Sequence, residues 1–333
     1  MQYRVLGKTG LRVSEIGFGC GNIGGLMVRA PFAERLAAVN RALESGINYF
    51  DTAPAYGNGQ SEKNLGEVLA AIKQNVIVAT KFGIGREDRG DFKGAVARSL
   101  EASLKRLQRD SVDILQLHTP VVKGDGDTSH SIELMHVLGS GGVADALDEL
   151  RSRGLVRFIG FTGLGETEAL HQMIESKRFD LCQAYCNLLN PSAAVSVPIN
   201  FASQNFAGLM GKAARNGLGV AAIRVLAGGA LGGAIARSGY AAPAVGGALV
   251  SGGEYQIDLN RAGKLGFLVK EDTKNLSQAG IRFVLGQPDI STVLVGFSSI
   301  NQIEEAALCT KLGPLAESYL NQLHNLWAIN FGI

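Results

Sequence analysis

Four side chains able to carry charge or a proton follow β-type runs at separate places in this 333-residue chain. Asp51 closes Ile47-Asn48-Tyr49-Phe50-Asp51, and Tyr56 follows in the loop Thr52-Ala53-Pro54-Ala55-Tyr56-Gly57. Lys81 closes Val76-Ile77-Val78-Ala79-Thr80-Lys81, and His118 closes Ile114-Leu115-Gln116-Leu117-His118. An acid, a phenol, an amine and an imidazole brought together suit protonation of a carbonyl oxygen. A carbonyl oxygen that gains negative charge in a reaction needs a proton at once. A free phenol has a pKa of about 10, and a cation within about 4 Å favours its ionised form. Lys81 is the expected cation beside Tyr56, and Asp51 would offset the cost of holding an ammonium in a partly dry place. His118 would point a ring N–H at the carbonyl oxygen. Taken singly, each residue has a plainer role: a turn cap, a loop aromatic, a snorkelling lysine and a core histidine. The ordered set argues for the chemistry.

Side chains at strand ends meet only if the strands run parallel, and strands that alternate with helices do so, with their chemistry at the carboxyl ends. Eight strand ends are expected, near Ile16–Phe18, Tyr49–Asp51, Val76–Lys81, Ile114–His118, Phe158–Thr162, Leu181–Tyr185, Val220–Ile223 and Thr292–Val295. Helices are expected between them. One runs from Pro31 to Ser45 before Gly46, with Phe32, Leu36, Val39 and Leu43 on one face. Another carries the stripe Phe92, Val96, Leu100, Leu104 and Leu107, and two more lead to C-capping Gly154 and Gly217. Eight such units are the count of a closed (β/α)8 TIM barrel, an α/β fold, here one domain over residues 1–333. Tyr3–Leu6 and Leu11–Val13, split by Gly-Lys-Thr-Gly, read as a leading β-hairpin. The intervals Thr119–Gly142 and the glycine-rich Leu226–Gly253 follow the fourth and seventh strands and are expected to be lids over the active face. The C-terminal helical tail, Pro314–Ile333, has Leu315, Tyr319, Leu323 and Trp327 at helical spacing, fit for packing or for draping over the barrel mouth.

Composition narrows the function classes. The chain is 46% apolar and 19% charged with a net charge of +2 and no basic cluster, which argues against nucleic acid or an anionic membrane as partner. No apolar stretch reaches membrane-spanning length and the start lacks a signal-peptide core, so the cytoplasm is the expected compartment. Cys20, Cys182, Cys186 and Cys309 are too sparse for a disulfide framework. The C-x3-C pair lacks the further ligands of a zinc site, so buried thiols are expected and no metal. His130, His136, His171 and His324 are expected to be structural or surface residues. The run Gly19-Cys20-Gly21-Asn22-Ile23-Gly24 spells G-x-G-x-x-G after a strand, as in a Rossmann fold. That fold needs a helix opening at the glycines, and here the helical pattern waits until Pro31.

Several runs resemble the aldo-keto reductase superfamily, in order along nearly the whole chain. They are Gly7-Lys8-Thr9-Gly10-Leu11-Arg12-Val13-Ser14, Asn48 through Gly57, Ala79-Thr80-Lys81, Asp113 through His118, the Gly-Leu-Val-Arg-Phe-Ile-Gly-Phe-Thr run from Gly154, and Gln302-Ile303-Glu304-Glu305. The resemblance implies a barrel that binds an extended nicotinamide dinucleotide without a Rossmann motif. It implies reduction of a small-molecule carbonyl (aldehyde, ketone or sugar) or oxidation of the alcohol, with Asp51, Tyr56, Lys81 and His118 as catalytic residues.

Cofactor contacts follow from the same resemblance. Gly19 and Cys20 would lie beside the dinucleotide. Gln183 and Thr162 would meet the nicotinamide amide, Thr162 standing for a usual Ser and Gly163 for a usual Asn. Ile223 takes the place of an aromatic that often stacks on the nicotinamide, with Arg224 next to it. Leu226 and Gly228 match a backbone contact to the pyrophosphate. Gly296, Ser298, Gln302 and Glu305 would hold the adenosine end, with Ala306 for a usual Asn. Phosphate-specific members place Lys near Gly296 and Arg near Gln302, and both cations are absent here. NADPH is the family default, and the missing cations open the way to NADH or dual use, since charge-assisted bonds are the strong ones for phosphate. Two other functions fit the fold: a non-catalytic dinucleotide-binding regulatory subunit, like those of potassium channels, and a Schiff-base aldolase with Lys81 as nucleophile.

Overall fold

Tyr49, Ala79, Ile114, Leu181, Ala221 and Leu294 come from six different strands and pack together in one buried apolar layer. The computed structural model, which describes residues 1–124, 130–232, 239–243, 255–270 and 272–332, shows how. After a hairpin of β1 (Tyr3–Val5) and β2 (Arg12–Ser14) come β3 (Ile16–Gly19), β4 (Tyr49–Asp51), β5 (Ile77–Phe82) and β6 (Val112–Leu117). A small pair, β7 (Val121–Val122) and β8 (Ile132–Glu133), precedes β9 (Val156–Thr162), β10 (Leu181–Tyr185), β11 (Gly219–Ile223) and β12 (Thr292–Gly296). Strands β3, β4, β5, β6, β9, β10, β11 and β12 pair in that order, and β12 returns to β3 to close the barrel. All eight pairings are parallel. The eight expected strands and the leading hairpin are present.

Each barrel strand is followed by a helix: Phe32–Glu44, Gln60–Ile72, Phe92–Leu107, Val143–Ser152, Thr167–Glu175, Leu209–Arg215, Leu276–Leu285 and Ile300–Leu312. The helix Phe92–Leu107 shows how sequence writes such an element. Asp91 caps it by accepting a hydrogen bond from Gly94 N, and Val96, Leu100 and Leu107 bury one face against the sheet. This helix–sheet core is separate from the apolar layer inside the barrel. At the amino-terminal end, hairpin residues Leu6 and Val13 join the inner layer and plug the barrel. The opposite end stays open.

One lid expectation is corrected, and the tail takes the packing role of its two expected ones. Thr119–Gly142 is not a bare lid: it contains the β7–β8 pair and a helix, Leu134–Leu138. Of the glycine-rich interval, Ala227–Gly232 is two short helical pieces joined at a kink where Gly228 and Gly229 have positive φ, while residues 233–238 and 244–253 lie outside the described residues. The tail forms a helix, Glu317–Ala328, that does not drape over the mouth. Trp327 is buried, with its ring near Phe283 and its indole N–H donating to Leu188 O at 2.9 Å. Among the described residues no helix is long and apolar enough to cross a membrane.

Candidate active site

Side chains alternate along a strand with period two. Two residues beyond each member of the inner apolar layer, the same inward face therefore carries Asp51, Lys81, Gln116, Gln183, Ile223 and Gly296. Strand register keeps them near one level, with Lys81 opposite Gln116 and Asp51 opposite Gly19. The barrel interior thus changes from apolar to polar in one step at its carboxyl end.

Asp51 is the centre of that polar layer. Its Oδ1 takes a short hydrogen bond from the Lys81 ammonium. Its Oδ2 accepts from Gln183 Nε2 at 2.6 Å and Gln116 Nε2 at 3.2 Å. Lys81 Nζ also donates to the Thr52 carbonyl at 2.9 Å and to the Tyr56 hydroxyl at 3.3 Å, so its three protons are all placed. Burial works against the Lys81 charge, but the charge of Asp51, the facing Tyr56 oxygen and the hydrogen bonds to both together outweigh it and hold the pKa above the usual lysine range. The ammonium is charged at neutral pH.

Tyr56 reaches this point because its loop is pinned. Tyr56 N donates to Ala53 O, its carbonyl accepts from Ser61 N, and Ser61 Oγ ties the loop to Cys20 O. Gly57 has φ +61°, where a side chain is strained, and a Cβ there would stand 2.6 Å from Val28 Cγ1. His118 stands edge-on to Tyr56, with ring centroids 5.9 Å apart and an interplanar angle of 90°. Burial, then the nearby charges of Lys81 and Arg224, push the His118 pKa down to about 3. The imidazole is neutral near pH 7 and keeps one N–H to donate.

Above this floor a cleft of about 1210 Å³ opens. Asp51, Tyr56, His118, Thr162, Gln183, Ile223, Arg224, Leu226, Gly228, Gly296, Ser298, Gln302 and Glu305 border it, as does Gly19. The structure brings Asp51, Tyr56, His118 and these expected cofactor positions to one cavity, with Lys81 just beneath it at 1% exposure. Cys20 and Gly163, expected beside the cofactor, do not border it. The Cys20 thiol turns away from the lumen into the helix–sheet core, toward Phe18 O, and Gly163 N is spent on Gln183 O. Trp327 and the described part of the 119–142 interval are also absent from its walls.

Some bordering residues escaped the sequence reading. Gly21, Asn22, Ile23 and Gly24 form the wall next to Tyr56, so the G-x-G-x-x-G run serves the cleft as a barrel loop, not as a Rossmann turn. Gly24 is packed so closely that a Cβ would lie 2.5 Å from Phe297 N. Asn275 also borders the cleft and caps the helix Leu276–Leu285, a role its sequence position before Leu-Ser-Gln allowed. Gln116 was legible as a polar residue in an apolar strand, two before His118. The other histidines lie elsewhere: His136 beside Glu133 and Phe92, His171 on Phe206 O, and His324 against Trp327. All four cysteines are buried free thiols, as expected.

The residues present fit a dinucleotide. A Cβ placed at Gly21 would fill space 3.7 Å from Tyr56 Cζ, a cradle left open in front of the phenol. Ser298 and Gln302 sit where β12 gives way to the helix Ile300–Leu312, with Ser298 N and Oγ both on Gln302 Oε1.

Residues 15–328 match the model of the aldo/keto reductase family. Among characterised proteins, L-galactose dehydrogenase of Arabidopsis thaliana is 31% identical over 328 residues, covering 95% of this chain and 90% of that protein. Pyridoxal 4-dehydrogenase of Microbacterium luteolum is 28% identical over 341 residues, covering 91% of each. The holo form of an aldo-keto reductase from Bacillus halodurans superposes with a TM-score of 0.70 at 23% identity, over 98% of this chain and 96% of that one, and so shares the fold. With the family model spanning the barrel from its first strand to the C-terminal helix, the chain belongs to the aldo/keto reductase family.

Proposed function

We propose that this chain is a nicotinamide-dinucleotide-dependent oxidoreductase that interconverts a small aldehyde, ketone or sugar carbonyl and its alcohol. The observation that carries the reading is the Lys81 ammonium on the Tyr56 hydroxyl, at the floor of a cleft that His118 also borders. The dehydrogenase names of the two relatives support a carbonyl–alcohol couple. The dinucleotide, when bound, supplies or accepts the hydride. Tyr56 then gives its proton to the carbonyl oxygen and is steadied as it gains negative charge by Lys81. Neutral His118 donates its ring N–H to the same oxygen and orients the carbonyl. Asp51 keeps Lys81 charged and in place.

Cofactor choice follows from the lining. Gln183's amide is engaged, donating to Asp51 and accepting from Thr162 Oγ1 at 3.4 Å, so meeting a carboxamide requires it to exchange a partner. Ser298, Gln302 and Glu305 offer neutral donors and an acid but no cation to a 2′-phosphate. This supports use of NADH beside NADPH. The compartment we take is the cytoplasm, whose reducing poise suits four free thiols.

A Schiff-base role for Lys81 is disfavoured, because its nitrogen is protonated and all three N–H bonds are directed at acceptors. The test follows nicotinamide absorbance with NADPH and NADH against a panel of aldehydes, ketones and aldoses. Turnover of several small carbonyls is expected. Tight dinucleotide binding with no turnover of any member would overturn the enzymatic reading in favour of a regulatory dinucleotide-binding subunit.

A further inference from the structure

Arg224 follows β11 at the edge of the cleft, and its electrostatic situation is unlike that of every other cation near the site. Lys81 is neutralised by Asp51. Arg224 is the only lysine or arginine among the described residues bordering the cavity, and none of the described carboxylates forms an ion pair with it. Its Nη1 is buried and has no hydrogen-bond partner. A shielded guanidinium nitrogen without a partner is costly, and such a cost falls when an anion arrives.

The backbone holds the residue in that position. Arg224 has φ +57°, an uncommon conformation for a residue with a side chain. Its carbonyl is gripped from two sides, by Asn187 Nδ2 at 2.9 Å and Ala227 N at 2.8 Å. The guanidinium lies 5.9 Å from the centroid of the Tyr185 ring, which is itself stacked on Phe206. The Tyr185 hydroxyl takes one hydrogen bond from the guanidinium, which steadies it while Nη1 stays available to an acceptor. Arg224 borders the same cleft as Tyr56 and His118, and its charge is among those that lower the His118 pKa.

We propose that Arg224 forms an anion subsite beside Tyr56 and His118, so that the carbonyl substrates this protein prefers carry a carboxylate. The inference rests on the oxidoreductase reading above and narrows its substrate class. A carboxylate accepts two parallel N–H bonds from the fork, holding its carbonyl at a set distance from the Tyr56 hydroxyl. A neutral sugar or alkyl aldehyde gains nothing equivalent.

The test compares 4-carboxybenzaldehyde with the similarly shaped, uncharged 4-nitrobenzaldehyde in the parent, Arg224→Leu and Arg224→Lys. In the parent, kcat/KM is expected to favour the carboxylate, and in Arg224→Leu that preference ratio should fall about 10- to 100-fold, mostly through KM. Arg224→Lys should restore part of it, keeping charge without the fork. A preference ratio that is the same in parent and Arg224→Leu overturns the proposal. So does a rise in the NADPH or NADH dissociation constant with the ratio unmoved, which would assign the guanidinium to a cofactor phosphate. If neither aldehyde is turned over, the redox reading falls but the subsite is still measurable. Calorimetry of benzoate binding to the protein–NADP+ complex should then show about 10-fold weaker binding in Arg224→Leu, and equal binding would remove the subsite.

Discussion

The Lys81 ammonium stands 3.3 Å from the Tyr56 hydroxyl, held from behind by Asp51 and the Thr52 carbonyl. The amine and the phenol come from different strand–loop units, and the contact exists only because β4 and β5 are neighbours in the closed barrel. Tyr56→Phe removes the proton and keeps the ring. Turnover is expected to fall about 10²- to 10⁴-fold, while dinucleotide binding stays within a few-fold, as read by fluorescence titration. Turnover equal to the parent's would remove Tyr56 as the donor.

Asp51→Asn separates the support of Lys81 from the chemistry. It leaves a buried ammonium facing a neutral amide, and losing one partner of a buried pair costs about 3–5 kcal/mol. Urea unfolding should show a loss of that order together with a large fall in turnover. Lys81→Met removes both buried charges' mutual need only halfway, stranding Asp51 instead, so it should also destabilise the protein. Unchanged unfolding midpoints in both variants would contradict the burial of this pair.

His118 has its pKa depressed to about 3 from an ordinary value near 6.5. Between those values the unfolded chain takes up a proton that the folded protein refuses, so stability is lost as pH falls from about 6.5 toward 3. Parent protein should therefore lose more melting temperature between pH 7 and pH 4.5 than His118→Gln does. The pH–rate profile of the parent should show no imidazole inflection between pH 6 and 7. An inflection there that His118→Gln abolishes would refute a neutral His118.

Gln116 donates to Asp51 while its Oε1 is buried without a partner. Gln116→Leu removes that bare acceptor along with one of Asp51's three side-chain donors. The two effects oppose, one hydrogen bond to a charged group being worth about 1.5–3 kcal/mol and an unsatisfied buried acceptor costing about 1–3 kcal/mol. The unfolding free energy is thus expected to shift by less than about 1.5 kcal/mol. Turnover should drop several-fold as Asp51 loosens its hold on Lys81, and a loss as large as that of Tyr56→Phe would point to a direct role instead.

At the neutral far wall, Gln302→Arg places a guanidinium where a 2′-phosphate would meet Ser298. A charge-assisted pair is worth about 1.5–3 kcal/mol, so the ratio of kcat/KM for NADPH over NADH should rise about 10-fold or more. A ratio that does not move would mean that the phosphate lies elsewhere.

Much of this was readable along the chain. The eight strands end where apolar runs end, and the helices carry stripes such as Val96, Leu100 and Leu107. Asp51, Tyr56, Lys81 and His118 stand out because each is a polar residue at or just past a strand terminus. Trp327 has helical spacing, yet spacing is silent on whether that face meets the cleft or Phe283. Cys20 shares its run with residues that do border the cleft, but strand alternation turns its thiol away from the lumen, into the helix–sheet core beside Phe18 O. Gln183 was placed at the cavity by the family resemblance; its bond to Asp51 spans 132 positions and depends on register around half the barrel.

By itself the sequence determined the barrel and the four groups at its carboxyl end, because both follow from local periodicity and from polar residues at strand ends. Only the tertiary structure decided that Asp51 gathers Lys81, Gln116 and Gln183, that Gly21–Gly24 wall the cleft, and that Arg224 faces it with no ion pair among the described residues. Those relations depend on distances between residues far apart in the chain, which barrel closure and register set and no local pattern encodes.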